Sequence, residues 1–208
     1  MRRALRVLAL LLPLAPSALA GSFDVSAHGG YYDLTAAKDS AEAVFGSSGG
    51  GIFGGGVRYR FESGLFVAAG VSFFKKTGER VFVAEPGAEV FPLGHPLELK
   101  LVPIEATLGW RFGGRGLLTP YIGVGGGLVS YSEESTVGGI TEKDSRTKGS
   151  GHVLAGVELG RGSLRFGIEA GYSIVPSTIG LGGVSKVYGE DDVGGFRVLG
   201  KISFGKFD

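Results

Sequence analysis

Three histidines, His28, His95 and His152, are the side chains in this sequence best suited to move a proton near neutral pH. Hydrolysis by such a histidine needs a hydroxyl on one side and a carboxylate on the other, all within hydrogen-bond reach. His152 has candidate partners: Ser150 just before it, and Glu133 or Glu134 across a polar stretch. No two histidines have a metal-ligand spacing. Glycine-rich segments suggest a second chemistry, phosphate binding. Gly49, Gly51 and Gly54 satisfy a literal G-x-G-x-x-G, and "TPYIGVGGGLVSYSEES" (119–135) has four glycines in five positions. The first lacks a preceding strand, a following helix and a downstream acid, and the second has Leu128 where its last glycine belongs. Neither a P-loop nor a G-x-S-x-G elbow occurs. The expectation is a protein that is not an enzyme, with no cofactor and no metal, in which His152 is a solvated rim histidine.

Composition narrows the classes further. The 208 residues contain no cysteine, so disulfide, Fe–S and thiol chemistry are excluded. The formal net charge is +1 with no basic patch, which speaks against nucleic acid. Asn and Gln are also absent. Residues 1–20, "MRRALRVLALLLPLAPSALA", have a basic start, a short apolar run and a final Ala-Leu-Ala. That is the pattern of a signal peptide cleaved before Gly21, leaving 21–208 as one domain. Mean hydropathy is +0.23, yet no later apolar run approaches the roughly 20 residues of a membrane helix. The apolar character is spread by alternation instead.

Eight segments alternate with period two: 22–32, 51–61, 65–74, 101–112, 120–131, 152–160, 164–174 and 196–204. The seventh, "LRFGIEAGYSI", sets Leu164, Phe166, Ile168, Ala170, Tyr172 and Ile174 against Arg165, Gly167, Glu169, Gly171 and Ser173. Connections near 62–64, 114–119 and 161–163 are short. Those near 33–50, 75–98, 132–150 and 175–194 are long and polar or Gly-rich. A sandwich has no reason to sort its loops in this way. An all-β, eight-stranded antiparallel up-and-down transmembrane barrel does, with tight periplasmic turns and long outer loops.

In such a barrel the apolar faces meet lipid and the other faces line the lumen. Phe61, Trp110, Phe112, Phe166 and Phe204 fall near the short-turn ends, and Tyr31, Phe53, Phe73, Tyr172 and Phe196 near the long-loop ends. These predict two aromatic girdles. Lumen faces collect Asp24, Glu105, Glu158 and Glu169 with Arg58, Arg60, Arg111, Arg165, Arg197 and Lys201, a set that must pair to be buried. Gly54, Gly56, Gly123, Gly125, Gly127, Gly167 and Gly171 alternate onto the same faces. An eight-stranded interior is only wide enough for side chains to fill, so these glycines are expected to leave room for arginine. The segment 79–93 has β-favouring runs around Pro86-Gly87 and predicts a hairpin above the bilayer that caps the mouth or binds an extracellular partner. The stretch 177–192 is expected to be mobile.

The signal peptide, the alternating strands and "TPYIGVGGGLVSY" resemble the small bacterial outer-membrane β-barrel superfamily, which includes OmpA-type transmembrane domains, OmpX/Ail and OmpW. The aromatic residues Phe204 and Phe207 near the end resemble the signal such proteins present to the barrel-assembly machinery. The resemblance implies residence in the bacterial outer membrane, insertion by that machinery and contact with lipopolysaccharide. It leaves two functional classes: a structural or interaction barrel with a charge-filled lumen, or an OmpW-like narrow passive channel. A lipid-modifying barrel enzyme is the least favoured third.

Overall fold

The structure, a computed structural model, describes residues 21–113, 117–180 and 182–205. The expected signal peptide, part of the 114–119 turn and Phe207 lie outside these residues. Eight strands hydrogen-bond to their sequence neighbours, and the first closes onto the last: β1 (Gly21–Asp33), β2 (Gly49–Phe61), β3 (Leu65–Phe82), β4 (Phe91–Arg111), β5 (Leu118–Val137), β6 (Ile140–Arg161), β7 (Leu164–Ile174) and β8 (Gly195–Gly205). All eight interfaces are antiparallel. Closure satisfies every ladder without an edge, which strands must achieve to cross lipid. No described helix is long and apolar enough to cross a membrane.

The period-two pattern sorts the wall. Ile104, Val124, Val153 and Ile168 point outward and are more than half exposed, whereas Asp24, Arg58, Arg60 and Glu158 point inward and are buried. In a water-soluble sheet these two sets would change places. On the outer wall Phe53 stands opposite Phe73, with ring centroids 5.7 Å apart, and Tyr172 stands opposite Phe196. Tyr31 lies near the same end, one strand over from Phe53. At the short-turn end Trp110, Phe112, Phe166 and Phe204 are exposed, and Phe61 packs edge-on against Tyr59.

Two of the four long connections are strands, one of them the hairpin expected over 79–93. β3 and β4 continue as a ribbon to Phe82 and Phe91, with a bulge near Glu79, and the turn lies between. β5 and β6 pair without interruption to Val137 and Ile140. Gly138 and Gly139 both have positive φ, the requirement of the two-residue hairpin turn whose twist matches the strands. The ribbon 132–150 is polar on both faces because it stands in water, so the apolar alternation that marks the membrane segments is missing.

The other two long connections carry helices. After a 3₁₀ turn at Thr35–Ala37, α1 (Lys38–Phe45) lies over the barrel mouth and ends at Gly46 in the left-handed conformation. α2 (Gly183–Tyr188) lies beside it in the last connection. The stretch expected to be mobile is tied down. Val175 N–H donates to Asp192 at 2.7 Å, Thr178 N–H donates to the Asp191 carbonyl at 2.8 Å, and Glu190 accepts from the N–H groups of Asp39 and Ser40 at 3.0 and 2.9 Å. Glu190 therefore caps α1 from the opposite side of the mouth. Replacing it with alanine should cost about 0.5–2 kcal/mol of local stability. The expected result is faster amide hydrogen exchange over 38–45 with the strand amides unchanged.

Candidate functional site

The interior is stacked in three tiers. Nearest the short turns, Asp24 lies 3.1 Å from Arg58 Nε and 2.9 Å from Arg60 Nε, and Arg58 Nη2 donates to Glu158 Oε1 at 2.6 Å. Arg111 approaches the other oxygen of Glu158 at 4.0 Å, and Arg165 donates to Thr119 at 2.9 Å. β1, β2, β4, β6 and β7 thus each send a charge to one level of the lumen. Asp24 and Glu158 are about 1% exposed, so these are desolvated pairs in which each member holds the other in place.

The Phe66 and Tyr121 rings meet edge to face at 6.0 Å above this tier. The Arg58 guanidinium stands 5.6 Å from the Phe66 ring centre, and Lys201 Nζ stands 5.6 Å from that of Tyr121. The second tier follows. Glu169 accepts from Lys201 at 2.8 Å and from the Tyr121 hydroxyl at 2.9 Å, and Glu105 accepts from Arg197 at 2.7 Å. All ten charged residues singled out in the sequence therefore line the lumen, split into two clusters rather than one. The lower holds Asp24, Arg58, Arg60, Arg111, Glu158 and Arg165; the upper holds Glu105, Glu169, Arg197 and Lys201.

The histidines belong to the upper tier. His28 Nε2 lies 2.9 Å from Ser72 Oγ; His152 Nε2 lies 2.9 Å from Thr107 Oγ1, and its Nδ1 lies 3.3 Å from Glu105. His152 is 4% exposed, so it is a lumen residue and not the wet rim histidine its position suggested. Its sequence-nominated partners are elsewhere. Ser150 faces Gly127, while Glu133 lies six residues further out on β5 and accepts from Tyr131; Glu134 pairs with Lys143 at 2.6 Å. Thr107, His152 and Glu105 do follow the hydroxyl–imidazole–carboxylate order of a hydrolytic triad. Glu105 is however shared with Arg197, and the adjoining void is only about 70 Å³. Among the described residues no group of three or more His, Asp or Glu side chains is placed to hold a metal.

The lumen glycines admit different neighbours from those expected. A Cβ on Gly125 would overlap the Ala106 carbonyl and stand 2.7 Å from the His152 ring; on Gly123 it would meet Thr107 at 2.7 Å, and on Gly54 His28 at 2.7 Å. At Gly56 and Gly127 the obstacle is the adjoining backbone, and at Gly167 backbone and Glu158. Of the seven, Gly171 is the one whose nearest side chain is an arginine, Arg197 at 3.3 Å. The strands are coiled so tightly that inward Cβ positions run into the next strand, and the space left serves histidine, threonine and carbonyl groups more than arginine. Gly109 and Gly156, not among those singled out, lie directly beneath the Phe66 and Tyr121 rings.

The third tier is apolar. Ile52, Phe74, Leu101, Val129, Leu199 and Tyr32 fill the lumen below the mouth, each at most 6% exposed, and Leu34, Ala37 and Ala41 seal them from above. Tyr32 packs edge-on against Phe74 at 5.3 Å and donates its hydroxyl to the Val193 carbonyl at 2.8 Å. None of these residues stands out in the sequence as lumen-filling, because they are apolar on the faces that elsewhere carry charge and glycine.

On the outer wall at the mouth, five charges alternate across four strands. Lys75 meets Glu98 at 2.6 Å, Glu98 meets Lys100 at 2.5 Å, Lys100 lies 3.9 Å from Glu134, and Glu134 meets Lys143. Hydrogen bonds from Lys100 and Lys75 hold the Glu98 carboxyl below its ordinary range, and Lys143, then Lys100, do so for Glu134. Depressed carboxyl pKa values mean that this support is present above the ordinary carboxylate range and is lost as pH falls through the lowered values. An NMR titration should find both carboxyls still ionised where free glutamate is half protonated.

A closed, side-chain-filled barrel with an apolar outer wall and aromatic rings at both ends is an outer-membrane type of barrel. The chain belongs to the family of outer membrane protein beta-barrel domains, whose model matches residues 6–198. It is therefore a transmembrane protein of the bacterial outer membrane. No curated protein matches it. Among solved structures it is similar to a major outer membrane protein of Thermus thermophilus, at 11% identity and TM-score 0.58, covering 89% of this chain and 99% of that one. The N-terminal barrel domain of Pseudomonas aeruginosa OprF matches at 14% identity and TM-score 0.47, covering 89% and 98%. Ail of Yersinia pestis matches at 17% identity and TM-score 0.48, covering 88% and 99%.

Proposed function

We propose that this is a closed, non-enzymic barrel whose interior serves stability and whose extracellular parts make the functional contacts. The observation that carries this reading is the apolar stopper above two charged tiers. A solute would have to displace Leu101, Phe74 and Leu199 and then separate the Glu105–Arg197 and Arg58–Glu158 pairs. The His152–Thr107–Glu105 group lies below the stopper, and the void beside it, about 70 Å³, is small for a substrate. A narrow passive channel is the competing reading, and the small void beside His28 and Lys201 is the observation in its favour. The lysine-rich ladder on the outer wall supports contact with the anionic head groups of lipopolysaccharide. Export behind a cleaved 1–20 segment and insertion by the barrel-assembly machinery complete the proposal.

Proteoliposome swelling in arabinose tests it. The parent is expected to swell no faster than protein-free vesicles, and Leu101→Ser with Leu199→Ser to swell measurably faster. Rapid swelling of the parent would favour the channel.

A further inference from the structure

Beyond the membrane the wall does not stop. β3, β4, β5 and β6 continue outward as a curved four-stranded sheet. Arg80 on β3 reaches across its concave face to Glu142 on β6 at 2.8 Å. α1 and residues 178–180 and 182–185 stand on the open side. Together they enclose a vestibule of about 410 Å³ that rests on Leu34, Leu99 and Tyr131, the upper edge of the stopper. That volume lies within the ~300–1,000 Å³ of small-molecule sites.

The vestibule is chemically two-sided. β4 contributes a stripe of Leu93, Leu97 and Leu99, faced by Ala41, Val44 and Phe45 of α1. β6 contributes Asp144, level with Leu99, and Arg146, one step further in and level with Leu101. An apolar wall of this extent left to water would work against the fold, since each buried methylene contributes about 0.8 kcal/mol. The arginines, by contrast, are already matched. Arg80 holds Glu142, Arg146 holds Asp144 and donates to the Thr178 carbonyl at 3.2 Å, and Glu133 accepts from Tyr131. An anionic ligand group would have to break one of the two ion pairs, and a cationic one drawn to Glu133 would meet Arg146, which faces Tyr131 across the β5–β6 ladder. Among the buried side-chain polar atoms of the described lining residues, one has no hydrogen-bond partner: Ser40 Oγ, on α1.

We infer that the vestibule binds a single-chain amphiphile with an uncharged hydroxyl-type head group, its chain along the β4–α1 side and its head able to reach Ser40. The inference rests on the closed-barrel reading only in taking the stopper as the floor. Swelling of the parent would overturn that reading and leave the binding result below intact.

Trp110, on the lipid-facing wall near the short turns, is the single tryptophan, which provides the assay. In lipid nanodiscs, Trp110→Phe combined with Phe45→Trp places the reporter in the vestibule. The unmodified chain reports probe dissolved in lipid. The probe is 11-bromoundecanol, whose bromine quenches indole at short range. The vestibule tryptophan is expected to be quenched saturably, at probe concentrations at least tenfold below those that dim Trp110. Adding Val44→Glu should raise the half-quenching concentration tenfold or more, with heat-modifiable gel migration confirming a folded barrel. Quenching that rises without saturation in step with Trp110, or that is unaltered by Val44→Glu in a folded barrel, would overturn the inference.

Discussion

Replacing Glu158 with alanine is expected to lower the unfolding free energy by about 3–5 kcal/mol, the range for breaking a buried ion pair from one side. Glu158 accepts from Arg58 at 2.6 Å and faces Arg111 at 4.0 Å in a tier that already holds four arginines against two acids. Without it Asp24, shared by Arg58 and Arg60, is the one carboxylate left in that tier. The Arg58 and Arg60 guanidinium groups are themselves buried, so the loss leaves positive charge in the lumen short of a counter-charge. Glu158→Gln should fall between parent and Glu158→Ala, since it keeps an acceptor oxygen while losing the charge. Urea unfolding in lipid vesicles, followed by heat-modifiable migration, measures both. An alanine variant as stable as the parent would mean that the pairs are not what holds the lower lumen.

The second large effect is steric. Gly125→Val is expected to prevent formation of the barrel. Its Cβ would overlap the Ala106 carbonyl across the β4–β5 ladder and press on the His152 ring. Neither can yield: the carbonyl belongs to the closed hydrogen-bond net, and His152 is held by Thr107 and Glu105. The matched control is Gly149→Ala on β6, where a Cβ meets nothing within 4 Å. That substitution should be neutral or slightly stabilising, because glycine is the more costly residue in a strand. Refolding yield from urea into detergent separates the two cases. Comparable yields would show that the glycines are tolerated rather than required.

How much of this was legible in the residues follows from where each segment stands. Across the bilayer, one face of every strand meets lipid and the other a packed polar lumen, so alternation is enforced and the eight strands could be read directly. Outside the bilayer that constraint lapses. "SEESTVGGITEKDSRTKGS" is strand throughout 132–137 and 140–150, yet its alternation is of polar with polar, and Gly138-Gly139 was the one available signal of a hairpin. The helix α1 is eight residues long and is held by Glu190, some 150 positions away, a capping partner that no local pattern could supply. The lumen charges were readable as a set because charge cannot face lipid. Their division into tiers was not, because it depends on the stagger between strands. The apolar stopper was hidden for a related reason: Leu99, Leu101, Tyr131 and Leu199 follow the inward parity of the charged residues, and only their height in the barrel changes what they do.

The central claim is that the lumen is closed, and planar-bilayer conductance of the refolded 21–208 chain tests it most directly. A folded barrel, verified by heat-modifiable migration, is predicted to give no discrete current steps at moderate voltage. Loosening the stopper through Leu101→Ser and Leu199→Ser should bring steps out. Reproducible unitary currents from the unsubstituted chain would contradict the account, since they would require a path past both the stopper and the charged pairs beneath it.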